Sequence, residues 1–144
     1  YMADTGLLVT MLFDKSMGSQ PDIYNKLLSD KLDADLVYLY ENAAAQMLTA
    51  CERKLYYHTW KKENSSHFYE IDFLITLQEK IIPIEIKSSA GNNERSILAF
   101  AEKYSMCVGK QYLFSQNDVS QKENLELKPI YMLPFLFEED GKMT

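Results

Sequence analysis

The sequence predicts one α/β domain in which helices flank a mixed sheet. Three observations predict it: apolar residues at helical spacing over 35–52, period-two alternation over 68–77, and a run of strand-forming residues over 80–88. The 144 residues are 47% hydrophobic and 12% aromatic, which is typical of one folded domain and excludes a mainly disordered chain. We expect a helical lead-in over 1–34 and a core over 35–137.

The elements are predicted in the order helix, three strands, helix and strand within the core. The helices are expected over 4–13 with Asp4 or Thr5 as cap, over 35–52, and from a cap at Asn92 or Asn93 to about Tyr104. The strands are expected over 55–60, 68–77, 80–88 and 110–115, with a further strand over 128–137 that Pro134 interrupts. Residues 117–124 are expected to form a polar loop.

The second and third strands are predicted to form a hairpin that turns at Gln78, Glu79 and Lys80. Strict alternation would place the side chains of the second strand on two faces. One face would hold Tyr69, Ile71, Phe73, Ile75 and Leu77, and the other Phe68, Glu70, Asp72, Leu74 and Thr76. Pro83 lies in the third strand, although proline is usually confined to edges, strand starts or bulges.

The net charge of −6 argues against a non-specific nucleic-acid binder, which usually carries a basic excess. This charge is unevenly distributed, because residues 1–40 and 111–144 each carry six acids and three lysines. Residues 41–110 carry nine acids and nine bases and are therefore neutral. The acidic excess lies outside the middle of the chain, so it does not exclude a local contact with nucleic acid there.

The two cysteines, Cys51 and Cys107, form neither a disulfide framework nor a metal-binding spacing. Two reduced thiols are typical of a cytoplasmic protein. No apolar run approaches the roughly 20 residues that span a bilayer, and no signal peptide is recognisable. The chain begins with Tyr1 instead of methionine, which suggests a fragment of a longer protein.

Two carboxylates occupy positions where packing alone would favour apolar side chains. Glu41 shares a helical face with Val37, Ala44 and Leu48, and a carboxylate there costs free energy unless a polar group meets it. Asp72 lies within a strand, where aspartate is depleted. The alternatives are a solvated helix rim for Glu41 and a solvated sheet face for Asp72.

Glu85 and Lys87 lie on one face of the third strand, about 7 Å apart along it. A half-exposed edge strand with a solvated Glu and Lys is the alternative explanation. Together with Asp72 and Glu41, however, they suit Mg²⁺, a hard ion that prefers oxygen ligands and keeps several waters. The clustered carboxylates would hold the metal, Lys87 would position a water or an oxyanion, and Glu41 could hold an outer-sphere water.

This combination of a helix Glu, a strand Asp and Glu-x-Lys resembles the PD-(D/E)XK nuclease superfamily. The wider pattern resembles the C-terminal domain of a large group of bacterial and archaeal AAA+-type ATPases, a domain of unknown function numbered 4143 in its series. The motifs are Tyr1-Met2-Ala3-Asp4-Thr5-Gly6-Leu7, Tyr40-Glu41-Asn42, Leu55-Tyr56-Tyr57, Glu70-Ile71-Asp72-Phe73, Pro83-Ile84-Glu85-Ile86-Lys87-Ser88 and Phe100-Ala101-Glu102-Lys103-Tyr104.

The resemblance implies a restriction-endonuclease-like αβββαβ core with a mixed central sheet. It also implies that Asp72 and Glu85 bind Mg²⁺ or Mn²⁺, that Lys87 is the catalytic lysine and that Glu41 is an accessory acid. Glu70 matches the family pattern without a defined role. The chain contains no P-loop motif, so an ATP site would belong to a missing upstream domain, which would also be an intramolecular partner.

Two functions follow as hypotheses. The first is a metal-dependent nuclease-like domain that binds or cuts DNA. The second is a nuclease-like fold that serves an ATPase as a recognition or regulatory module without cleavage. The candidate phosphate contacts are Ser88, Lys61, Lys62 and Arg95. No membrane partner is expected, and the sequence leaves the oligomeric state open.

Overall fold

The computed structural model describes residues 1–14, 36–63, 65–88 and 94–137. The predicted caps Asn92 and Asn93, and most of the predicted lead-in, lie outside these residues. Within them, no helix combines the length and apolar character needed to cross a membrane. The fold is a mixed α/β arrangement in which helices flank a six-stranded sheet.

Three α-helices and one 3₁₀ helix surround the sheet. They are α1 (Thr5–Asp14), α2 (Leu36–Ala50), α3 (Arg95–Lys103) and the 3₁₀ helix (Ile130–Phe137). Asp4 is the cap of α1, because its Oδ1 accepts a hydrogen bond of 3.0 Å from the Leu7 amide. Glu94 occupies the N-cap position of α3, but its side chain makes no capping hydrogen bond. Its Oε1 instead lies 2.6 Å from Lys122 Nζ.

The six strands form one sheet in the order β1-β2-β3-β4-β6-β5. They are β1 (Tyr56–Lys61), β2 (Phe68–Leu77), β3 (Lys80–Ile86), β4 (Gln111–Ser115), β5 (Ser120–Lys122) and β6 (Leu125–Pro129). Strands β3, β4 and β6 are parallel, whereas β1, β2 and β5 join the sheet in antiparallel pairs.

The predicted hairpin of β2 and β3 is confirmed, with Leu77 opposite Lys80. Its two-residue turn consists of Gln78 and Glu79, whose φ angles of 48° and 62° are both positive. Two positive φ angles are typical of a type I′ turn, whose twist matches that of the strands. The hairpin therefore fixes the register of β2 against β3, and with it the position of Asp72 relative to Glu85.

The sheet has a core on each side. The α2-side core includes Ala44, Leu48, Phe73, Ile84 and Phe114, together with Leu133 from the 3₁₀ helix. The α3-side core consists of Ile71, Ile97, Phe100, Leu113, Leu125 and Leu127. The buried face of α2 is thus the predicted one, and β3 is covered on both sides.

The two predicted faces of β2 are wrong in one respect, because Ile71 and Phe73 pack into different cores. Tyr56 pairs with Leu74 and His58 pairs with Ile71, so β2 uses one more residue than β1 between these pairs. This β-bulge interrupts the alternation. Asp72 lies within it, which explains how a charged residue is accommodated in a strand with two covered faces.

Pro83 is buried within β3, a central strand. The strand tolerates a proline at this position because the hydrogen-bond ladder toward β4 is interrupted there. The amide and carbonyl of Ile81 bond to Cys107 and Gly109, on the β4 side of the strand. Pro83 is two residues further and faces the same side, whereas regular pairing with β4 begins at Ile84. The missing N–H of proline therefore falls in a gap where the ladder has no bond.

The prediction of a polar loop over 117–124 is wrong, because Ser120–Lys122 form β5 and pair with β6. All three residues are exposed, so this edge strand has no apolar face. Period-two patterning requires one buried and one solvated face. The sequence therefore contains no alternating signal that could reveal β5.

The prediction of a strand over 128–137 is also wrong. The strand β6 is Leu125–Pro129, with alternate residues buried, and Ile130–Phe137 form the 3₁₀ helix. Pro134 has no N–H to donate to a strand ladder. The apolar residues that follow β6 pack onto α2 instead, and Leu133 is fully buried there.

Candidate functional site

The candidate site lies at the carboxyl end of β3, where β2 bulges. Phe73 and Ile84 are the last paired residues of the hairpin, and Asp72 and Glu85 are the next residues of β2 and β3 beyond that pair. The charge of Asp72 raises the pKa of Glu85, so the two carboxylates lie close enough to act on each other. The hairpin geometry thus brings together the two residues that the sequence predicts as metal ligands.

Asp72 closes the end of the β2–β3 ladder with its side chain. The amide of Ile86 donates a hydrogen bond of 2.7 Å to Asp72 Oδ2. In a regular ladder this amide would face the backbone of Ile71, and the bulge removes that partner. Burial raises the pKa of Asp72, while the Ile86 amide and the charge of Lys87 oppose the increase. The Asp72 carboxylate therefore accepts a hydrogen bond that completes the ladder and is also one of the candidate metal ligands.

Glu85 is buried, with 3% of its surface exposed, and pairs with Lys87. Lys87 Nζ lies 2.5 Å from Glu85 Oε1. Glu85 Oε2 is also buried, and among the residues that the structure describes it has no hydrogen-bond partner. Burial raises the pKa of Glu85; the charge and hydrogen bond of Lys87, and the Ile97 amide near the start of α3, oppose the increase. The unpartnered Oε2 is a buried acceptor that a cation could satisfy.

Glu41 extends the cluster from α2. Its side chain is half-buried, and its pKa is raised to about 7 by burial and by the charges of Asp72 and Glu70, while Lys87 lowers it. These effects place Glu41 within electrostatic reach of the two β2 carboxylates and of Lys87. A carboxyl group with a pKa near neutrality can exchange a proton at physiological pH.

Tyr1 and Glu70 also belong to this cluster, and sequence reasoning assigned neither of them a role there. Burial and the charges of Glu41, Asp72 and Glu70 raise the pKa of Tyr1 to about 12. The Tyr1 ring lies 5.4 Å from the Phe73 ring, measured between centroids. Glu70 is exposed on β2, two residues before Asp72. Both residues stand in the quoted family motifs, which was the available signal.

The four candidate phosphate contacts lie after β3, at the start of α3 and at the end of β1. Ser88 is half-buried beyond the end of β3, and Arg95 is the first residue of α3. Lys61 pairs with Phe68, so it lies about four residues, or roughly 13 Å, beyond Asp72 along the hairpin. Lys62 Nζ lies 4.5 Å from the centre of the Tyr69 ring. Lys61 and Lys62 are therefore at the same end of the sheet as the site but not within the cluster.

The cluster has the oxygen donors of a hard-metal site. Among residues 1–14, 36–63, 65–88 and 94–137, no group of three or more His, Cys, Asp or Glu side chains is arranged to hold a metal ion. Asp72 and Glu85 nevertheless supply two carboxylates with one unpartnered oxygen. Two carboxylates with the remaining positions left to water are compatible with Mg²⁺.

The raised pKa of Glu41 predicts how stability depends on pH. A carboxyl whose pKa is about 7 in the folded protein, against an ordinary value of 4.5, contributes stability at low pH. This contribution is lost as the pH rises from about 4.5 through 7. In EDTA, we expect Glu41→Gln to reduce the loss of unfolding free energy between pH 5 and pH 8, measured by urea denaturation. Glu102→Gln, an exposed control on α3, should follow the wild type; equal pH profiles for Glu41→Gln and wild type would contradict the prediction.

Comparison with known proteins places this chain in a family. Residues 38–133 match the family model of a domain of unknown function, DUF4143. No curated protein matches the chain significantly. Among solved structures, the chain is similar to protein VC1899 from Vibrio cholerae, with 14% identity and a TM-score of 0.41. That match covers 93% of this chain and 41% of the other. Because the family match spans most of the chain, the protein belongs to the DUF4143 family.

Proposed function

We propose that the domain binds a divalent metal ion and hydrolyses a nucleic-acid phosphodiester at the carboxyl end of β3. The observation that carries the proposal is the buried Oε2 of Glu85, for which the described part of the chain supplies no hydrogen bond, in a carboxylate whose pKa the charge of Asp72 raises. A buried carboxylate oxygen without a hydrogen bond is costly, and a bound cation would remove that cost. Mg²⁺ and Mn²⁺ suit this donor set because both prefer carboxylate oxygens and water.

The proposed roles follow from where each side chain lies. A metal held by Asp72 and Glu85 would offset the charge of a phosphate and acidify a bound water. The ammonium of Lys87 is partly exposed and can donate a hydrogen bond to a phosphate oxygen. Glu41, with a pKa of about 7, can accept a proton from water near neutral pH.

DNA is the proposed substrate class, with contact confined to the end of the sheet that carries the site. Lys61, Lys62, Arg95 and Ser88 are the proposed phosphate contacts. The cluster of Glu41, Glu70, Asp72 and Glu85 repels phosphate unless a cation is bound. Binding should therefore be weak without metal and should decrease as salt increases.

A second function is favoured by the pairing of Lys87 with Glu85. The ammonium already lies 2.5 Å from a buried carboxylate oxygen, so contact with phosphate requires it to share or leave that partner. A domain that keeps this pair closed would recognise DNA or another partner without cleaving it. In either case, we propose from the motif resemblance that the domain acts as the C-terminal part of an AAA+-type ATPase.

The test is a cleavage assay with supercoiled, linear and single-stranded DNA, using the domain and its full-length parent protein. We expect cleavage in Mg²⁺ or Mn²⁺ and none in EDTA. Asp72→Asn should abolish cleavage while its amide oxygen can still accept the Ile86 hydrogen bond. Asp118→Asn, an exposed control, should cleave like the wild type.

The outcomes separate the two functions. Metal-dependent DNA binding without cleavage under any condition would replace the nuclease with the recognition module. If a folded wild-type protein neither binds nor cleaves any of these DNA forms, both DNA functions are excluded.

A further inference from the structure

The residues at the start of α1 and just before it are hydrogen-bonded to α2 by two amide side chains. Asn42 is 2% exposed, and its Oδ1 accepts a hydrogen bond of 2.7 Å from the Met2 amide. Its Nδ2 donates to Thr5 Oγ1 at 3.2 Å. One turn further along α2, Gln46 Nε2 donates to the Met2 carbonyl at 3.2 Å. We call residues 1–5 the N-terminal strap.

The strap brings Tyr1 to the carboxylate cluster. The Tyr1 ring packs beside Phe73, which lies next to Asp72 in β2. Asn42 follows Glu41 in α2, so the residue that holds the strap is the sequence neighbour of a site carboxylate. Tyr1 is nevertheless 67% exposed, so a ligand can reach it. The Tyr1 ring is thus held in place by Phe73 while much of its surface stays open to a ligand.

We propose that Tyr1 contacts the substrate through its phenol hydroxyl and that Asn42 is the positioning residue that holds Tyr1 there. This inference rests on the proposed function. The cluster has an excess of carboxylates, so an incoming phosphodiester needs hydrogen-bond donors besides Lys87. A phenol supplies such a donor without adding charge, and its ring can also cover part of the substrate.

The acid–base behaviour of Tyr1 agrees with this role. A tyrosine hydroxyl keeps its proton at physiological pH, and burial and the neighbouring carboxylates raise the pKa of Tyr1 further, to about 12. It can therefore donate to an anionic phosphate oxygen, which a phenolate could not do. Hydrogen bonds to charged groups are stronger than neutral ones, and losing one reduces affinity by about tenfold or more.

A purely structural strap is the competing explanation, and two kinds of variant separate it from the proposal. Tyr1→Phe removes the hydroxyl and keeps the ring beside Phe73. Asn42→Leu removes both hydrogen bonds that Asn42 makes with the strap. Gln46→Leu removes the bond to the Met2 carbonyl and leaves the buried Asn42 intact, so it serves if Asn42→Leu does not fold.

The experiment measures the affinity of the full-length protein for fluorescein-labelled DNA, as duplex and as single strand, in Ca²⁺. Cleavage kinetics in Mg²⁺ and hydrogen exchange of residues 1–5 accompany it. We expect Tyr1→Phe to weaken binding about tenfold and to raise KM with kcat within about twofold of wild type. Asn42→Leu should speed exchange in the strap and weaken binding equally, without a further loss in the double variant.

The controls are Tyr131→Phe, whose tyrosine is also 67% exposed, and Thr49→Val, which removes a hydrogen bond within α2. Both should bind DNA like the wild type. The proposal is overturned if Tyr1→Phe stays within twofold of wild type in affinity and KM, or if the released strap leaves affinity unchanged. In those cases the proposed function stands; if the wild type neither binds nor cleaves DNA, the proposed function and this inference both fail.

Discussion

Replacing Lys87 with alanine should reduce metal-dependent cleavage by at least about a hundredfold, because a positioned donor to a developing negative charge is removed. Lys87 is the basic group whose charge lowers the pKa values of Glu41, Asp72 and Glu85. Its loss also leaves the buried Glu85 without its ion pair. Cleavage rates measured in Mg²⁺ at saturating DNA test this prediction.

The matched control is Lys62→Ala, which removes a lysine at the same end of the sheet whose ammonium lies over Tyr69. It should weaken DNA binding and leave kcat unchanged. Lys87→Arg should not restore cleavage, because a planar guanidinium does not reproduce an ammonium point charge. A Lys87→Ala protein that retains kcat within about fivefold of wild type would remove Lys87 from the proposed mechanism.

Lys87→Ala also has a consequence for stability that distinguishes a folding defect from a chemical one. Without Lys87, the pKa of Glu85 should rise further, so the unfolding free energy should fall more steeply with increasing pH than in the wild type. Circular dichroism and urea denaturation at low pH should therefore show a folded variant.

Phe114→Ala should be the most destabilising substitution considered, with a loss of about 3–5 kcal/mol in unfolding free energy. Phe114 is fully buried in β4, which lies between β3 and β6, and it belongs to the α2-side core. Removing the ring leaves a cavity against α2 and the 3₁₀ helix. Folded domains are stable by only about 5–15 kcal/mol, so this loss is a large fraction.

Chemical denaturation measures the effect, with Phe135→Ala as the matched control. Phe135 is 52% exposed in the 3₁₀ helix and should cost less than about 1 kcal/mol. If Phe114→Ala is too unstable to study, Phe114→Leu should show a smaller loss in the same direction. Equal losses for Phe114→Ala and Phe135→Ala would contradict the described core.

The central part of the fold was predictable because its patterns are local. The hairpin of β2 and β3 follows from period-two alternation around a polar turn, and α2 follows from its apolar face. The strand β5 was not predictable, since Ser120–Lys122 are all exposed and leave no pattern. The apolar residues after β6 form a 3₁₀ helix because packing on α2, rather than local preference, decides their conformation.

The candidate site was predictable where its charges conflict with their surroundings. Glu41, Asp72 and Glu85 each stand in an apolar context in the sequence, and in the structure the charge of Lys87 lowers the pKa of each of them. The bulge at Asp72 could not be predicted, because it depends on pairing with β1. The contact of Asn42 with Met2 joins residues 40 positions apart, and nothing in either local sequence indicates it.

Asp72 both belongs to the candidate site and accepts the Ile86 hydrogen bond. This combination implies an order in which such a site can lose its residues over evolution. Replacing Glu85 with a neutral residue removes a buried charge and leaves the β2–β3 ladder complete, whereas replacing Lys87 first would leave the buried Glu85 carboxylate without its ion pair. Replacing Asp72 with an apolar residue also leaves the Ile86 amide without an acceptor, which costs about 1–3 kcal/mol. A descendant without catalytic function should therefore lose Glu85 before Lys87 and keep aspartate or asparagine at position 72.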